Sequence, residues 1–74
     1  MPYFPYERVL LRKVPGGTWW HIFGVKKDGT EQLECLINPE ASGLSPEEAR
    51  KWAIIRANQI SKNLTGKQRA ELDF

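Results

Sequence analysis

The sequence predicts an α+β fold: a three-stranded antiparallel sheet in strand order 1-2-3, packed on one face by a single helix that follows it. Three observations carry this expectation. Two turn signals, Pro15-Gly16-Gly17 and Asp28-Gly29, divide residues 7–38 into three runs rich in β-branched and aromatic residues. Ser45-Pro46-Glu47-Glu48 is a compact helix-start signature. Beyond it, apolar residues recur at the helical period. At 74 residues the chain is expected to form one domain, 1–74. A domain of that size buries only about 60% of its unfolded surface, so every large apolar side chain counts.

The opening residues 1–6 are rich in proline and aromatics, which favours an extended arm. Either Tyr3, Phe4 or Tyr6 covers one end of the core, or the arm is a free recognition element. Glu7 to Val14 reads as strand one, ended by Pro15-Gly16-Gly17. Thr18 to Lys27 is strand two. Asp28-Gly29 reads as a two-residue hairpin loop with both residues at positive φ. Thr30 to Asn38 is strand three, ended by Pro39, and Glu40 to Gly43 is a loop.

Ser45 is the helix N-cap. Pro46 takes the first helical position, where a missing N–H costs nothing, and Glu48 closes a capping box. Glu47 meets the positive end of the helix dipole. The helix runs from there to about Asn63, with Ala49, Trp52, Ala53, Ala57, Ile60 and Leu64 on one stripe. Its charged residues Arg50, Lys51, Arg56 and Lys62 are solvated, Arg56 laying its stem along Trp52. Residues 65–74 form a tail in which Thr65 and Gln68 cap a short final helical turn.

Strand register decides which side chains face the helix. A two-residue Asp28-Gly29 loop pairs Gly24 with Leu33, Ile22 with Cys35 and Trp20 with Ile37. A four-residue loop from Pro15 to Thr18 pairs Val14 with Trp19, Leu11 with Ile22 and Val9 with Gly24. Paired residues share a face, so Val9, Leu11, Trp20, Ile22, Leu33, Cys35 and Ile37 gather on one apolar face beneath the helix. The other face carries Arg8, Leu10, Arg12, Val14, Trp19, His21, Phe23, Val25, Gln32, Glu34 and Leu36. A sheet with one solvated face normally turns polar residues to water. An apolar patch there marks an interaction site. Two other outcomes stand beside this one. The arm or Leu72-Asp73-Phe74 covers the second face, or a three-residue loop at Asp28-Gly29 flips strand two and buries Trp19, Phe23 and Val25.

Catalytic chemistry is not expected. Cys35 and His21 point to opposite faces in this register, so they form no nucleophile–base pair. One cysteine and one histidine do not supply the three or four ligands of a zinc site, and no cofactor is implied. Gly66-Lys67 lacks the earlier glycine of a phosphate-binding loop. A lone cysteine points to a reducing, cytoplasmic setting. The opening residues show no basic stretch followed by an apolar one, as a signal peptide needs. No apolar run approaches the roughly 20 residues that cross a bilayer. Membrane and small-molecule partners are therefore not expected.

Two macromolecular partners remain. Net charge is only +2 and is spread along the chain. The aromatic face, with Trp19, His21, Phe23, Arg8, Arg12 and Leu36, suits a protein partner. Trp and Arg are frequent binding hot spots. A small non-catalytic regulator of the kind phages and mobile elements encode is the expected class, with self-association through the same patch also open. The alternative is double-stranded DNA. The layout of strand, glycine turn, Trp-rich strand, Asp-Gly turn, strand and helix resembles the arm-binding domain of tyrosine-type integrases. The resemblance covers roughly Arg8 to Lys62 through GGTWWHIFGVKKDGT and SPEEARKWAIIRANQI. It implies a sheet lying in the major groove, with contacts from Arg8, Arg12, Trp19, His21, Lys26 and Lys27. Strand three departs from that pattern, being acidic at Glu31 and Glu34 where the family is basic.

Overall fold

Turn chemistry sets the first hairpin. The computed structural model describes residues 4–73, with strands β1 (Arg8–Lys13), β2 (Trp20–Val25) and β3 (Glu31–Ile37), a short helix α1 (Pro39–Ser42), the main helix α2 (Pro46–Thr65) and a last strand β4 (Glu71–Asp73). Val14 N–H donates to Trp19 O (3.0 Å), and Gly17 N–H donates to Val14 O (3.1 Å). The antiparallel β1–β2 ladder then pairs Leu11 with Ile22 and Val9 with Gly24, the expected register.

The second hairpin departs from expectation and then returns to it. The loop has three residues, Lys27-Asp28-Gly29: Lys26 N–H donates to Thr30 O (2.9 Å) and Gly29 N–H donates to Lys26 O (2.9 Å). Among the described residues only glycines have positive φ; Gly29 sits at +89° while Asp28 does not take that conformation. Asp28 instead accepts the Thr30 N–H through Oδ1 (2.9 Å), a local turn bond that also lowers its carboxyl pKa. The longer loop shifts the start of β3 by one residue, so Phe23 pairs with Leu33, Gly24 with Gln32 and Val25 with Glu31. A β-bulge then absorbs the shift. From Ile22↔Cys35 to Trp20↔Ile37 the expected pairing is restored. The extra residue falls on an edge strand, which has no ladder on its other side to break. Strand two therefore does not flip. Leu33, expected in the core, lies on the outer face at 50% exposure. Gln32 moves to the helix side opposite Gly24, and Glu34 reaches Tyr6 there.

Two further expectations are corrected. The sheet has four strands in the order β3-β2-β1-β4, because residues 71–73 pair parallel to β1. Residues 71–73 thus extend the sheet edge instead of forming a helical turn, and their side chains cover part of the outer face; Thr65 closes α2, whose C-cap is Gly66. The loop after β3 is one turn of helix, because Asn38 Oδ1 accepts the N–H groups of Glu40 and Ala41 and caps it.

Helix α2 starts as expected. Ser45 Oγ accepts the Glu48 N–H (3.2 Å) and Glu48 Oε1 accepts the Ser45 N–H (3.3 Å). Its buried residues are Ala49, Ala53, Ala57 and Ser61, a stripe with four-residue spacing that lets the helix lie close, chiefly over β1. Val9, Leu11, Trp20 and Ile22 complete the core, with Trp20 only 4% exposed. So narrow a contact leaves large side chains on the flanks. Trp52, expected on the buried stripe, is 47% exposed, while Ile60 and Leu64 pack partly against the core.

The arm closes one end of that core. Tyr6 is buried, and its ring occupies the space where a side chain at position 24 would stand: a Cβ on Gly24 would lie 2.8 Å from ring carbons. Its hydroxyl donates to Glu34. Phe4 packs near Gly66. Tyr3 and Phe74 lie outside the described residues. The hydrogen bond to Glu34, then burial, then the charge of Glu34 raise the Tyr6 pKa.

Gly24→Ala should displace the Tyr6 ring and cost about 1–3 kcal/mol, as overpacking does; equilibrium urea unfolding checks this. The Tyr6 titration makes a second prediction. A raised folded pKa stabilises the fold below the unfolded value and loses that contribution as pH climbs through the folded one. From neutral pH up to 10.0, the ordinary tyrosine value, the stability difference between the native chain and Tyr6→Phe should stay constant, and it should shrink above that. A difference that grows in alkali would contradict the contact.

Candidate functional site

The outer face of the sheet is built by the odd-numbered residues of β2 and their cross-strand neighbours. His21 stands opposite Arg12 on β1 and Leu36 on β3. Phe23 stands between Leu10 and Leu33. Trp19, just before β2, is half-buried, as are His21 and Phe23. The His21 ring meets Phe23 edge-on, with centroids 5.7 Å apart and planes at 89°. The Arg12 guanidinium lies over the Phe23 ring, 5.1 Å from its centroid. Leu33 and Leu36 flank this aromatic pair at 50% and 44% exposure. Cys35 lies on the helix side opposite Ile22, packed against the core, so it and His21 sit on opposite faces.

Ion pairs occupy the rest of the face. Arg12 Nε bonds Asp73 Oδ2 (2.9 Å), and its two terminal nitrogens reach both oxygens of Glu31 (3.2 and 3.3 Å). These bonds, to Glu31 first and then Asp73, raise the pKa of the guanidinium. Arg8 pairs with Glu71. Leu10 and Val25 are buried despite their outward parity, in the shallow depression lined by Arg8, Arg12, Glu31 and Glu71. The face is thus partly covered at the β4 side, by salt-bridged side chains of the tail. Of the arm's described residues, Tyr6 stands over Gly24 on the helix side and Phe4 lies near Gly66, so neither adds to this cover.

The structure brings Arg12, His21, Phe23 and Leu36 together, with Arg8 at the β4 edge; Trp19, whose carbonyl accepts the Val14 N–H, continues the alternation of β2 one residue before the strand. Lys26 and Lys27 do not join them. Both are exposed at the hairpin turn, where they line a cleft with Phe4, Tyr6 and Lys67. Sequence reasoning missed Leu33, Glu31, Glu71 and Asp73. The first two move with the loop length and bulge. The last two depend on β4, whose three residues carry no strand signal. A second groove, between β3 and α2, is lined by Cys35, Ile37, Leu44, Trp52 and Arg56 and holds about 230 Å³.

Among the described residues no group of three or more His, Cys, Asp or Glu side chains is placed to hold a metal ion. Nor is any described helix long and apolar enough to cross a membrane. Comparison with protein-family models, with curated proteins and with solved structures finds no match.

Proposed function

We propose that this chain is a small non-catalytic regulatory module that binds a larger protein through the outer face of its sheet. The observation that supports this best is the row Trp19, Phe23, Leu33 and Leu36, left half-open while the opposite face is packed beneath α2. Aromatic rings held rigidly on strands bury much area at little entropic cost. A docking partner would present apolar side chains at its centre and polar groups at its rim.

The electrostatics weigh against the DNA alternative. Arg8 and Arg12 share the face with Glu31, Glu71 and Asp73 and are bonded to them. Phosphate binding draws on unneutralised cations, and these two have their carboxylates already. The basic residues that remain from the integrase resemblance, Lys26 and Lys27, stand at the turn.

Immobilised native chain and its Trp19→Ala and Phe23→Ala variants should be compared for capture, and the captured protein then purified and titrated. Loss of either ring should weaken binding by about 30-fold, the roughly 2 kcal/mol of a hot-spot residue, with little dependence on salt. Both variants should keep their far-UV circular dichroism. Unchanged affinity in both would refute the proposed face. Tight binding to duplex DNA that falls steeply with salt would favour the alternative.

A further inference from the structure

The β1 edge is occupied by a strand that is weakly held. β4 contributes three residues, Glu71, Leu72 and Asp73, all exposed, in a parallel ladder to Leu10, Leu11 and Arg12. Parallel pairing is the less stable kind per residue. Two surface ion pairs add to it, Arg8–Glu71 and Arg12–Asp73, with side chains between 35% and 56% exposed. Such pairs contribute about 0–1 kcal/mol each. Before the strand, residues 67–70 carry no regular structure; Asn58 Oδ1 anchors Ala70 N–H at 2.9 Å. Release of residues 71–73 would therefore leave the α2 core intact.

What β4 leaves behind is a defined acceptor. The alternation of β4 describes it: carboxylates at positions 71 and 73 meet the arginines of the outer face, and the apolar Leu72 between them falls at the level of Leu11. An extended backbone satisfies the open β1 edge, and acidic side chains two residues apart satisfy Arg8 and Arg12. We propose that the β1 edge accepts an extended segment of acidic–apolar–acidic pattern from a partner protein, and that β4 is the resident competitor such a segment displaces. This goes beyond docking on the aromatic face, which would stand or fall without it, and adds an edge site next to that face.

The test uses the full chain and a labelled synthetic peptide with the sequence of residues 68–73. A tethered segment competes at an effective concentration of order mM, so the native chain should bind the peptide feebly. The double variant Glu71→Ala/Asp73→Ala should bind it at least about tenfold more tightly, because its own strand competes less well. A peptide with both acidic residues replaced by lysine should not bind either chain. Nitrogen-15 NMR of the native chain supplies a second readout that needs no variant. Peptide in large excess over that mM effective concentration should move the amide signals of residues 71–73 toward random-coil positions while the β1–β2 signals stay dispersed. Equal binding of the acidic and lysine peptides would overturn the proposal. So would a peptide that leaves the signals of residues 71–73 unmoved. If the double variant instead forms a concentration-dependent dimer and takes up no peptide, the edge serves a second copy and the partner-segment proposal fails.

Discussion

Burial of Trp20 and Ile22 beneath the alanine stripe of α2 sets the direction of the sheet's other side chains. Ala49, Ala53 and Ala57 bring the helix close enough to enclose a full indole, and the enclosed indole in turn holds the parity of the central strand. The apolar area buried there is the largest single contribution available to so small a chain. Once even-numbered residues of β2 point inward, Trp19, His21 and Phe23 must point away. The candidate binding face is therefore a by-product of core packing and not a separately folded feature.

This constraint explains where the structure is regular and where it yields. The inner strands β1 and β2 keep their register throughout. Irregularity is confined to the periphery: the bulge lies in β3, and β4 is only three residues long. A strand with neighbours on both sides cannot insert a residue without breaking two ladders, whereas an edge strand breaks one. The bulge also twists and interrupts an edge that would otherwise offer a flat template for aggregation, and Glu31 and Glu34 add charge along it.

The legible parts of the fold were those determined within a few residues. Pro15-Gly16-Gly17 set the β1–β2 register, and Ser45 with Glu48 set the start of α2; both follow from local turn and capping chemistry. The face of Leu33 was not legible, because Asp28-Gly29 is compatible with loops of two or three residues, and the three-residue loop with its compensating bulge turns Leu33 outward. Trp52 falls on the buried stripe by angle alone. Its exposure follows from how closely the alanines draw the helix in, a property of the packed pair of elements. Strand β4 was hidden for a similar reason: Glu-Leu-Asp has no strand propensity, and its place comes from arginines 61 to 63 residues away in sequence. Of the candidate site, the aromatic centre was readable from alternation, while the carboxylates that neutralise its arginines were not. That omission matters, since an unpaired Arg8 and Arg12 would have made a nucleic-acid partner more plausible than the ion-paired face does.

The most direct measurement of the central constraint is a nuclear Overhauser spectrum of the labelled chain. The account predicts cross-peaks from the Trp20 indole protons to the methyl groups of the α2 alanines, with none from the indole of Trp19. Cross-peaks from the Trp19 ring to those methyls would place the wrong face of β2 under the helix and contradict it.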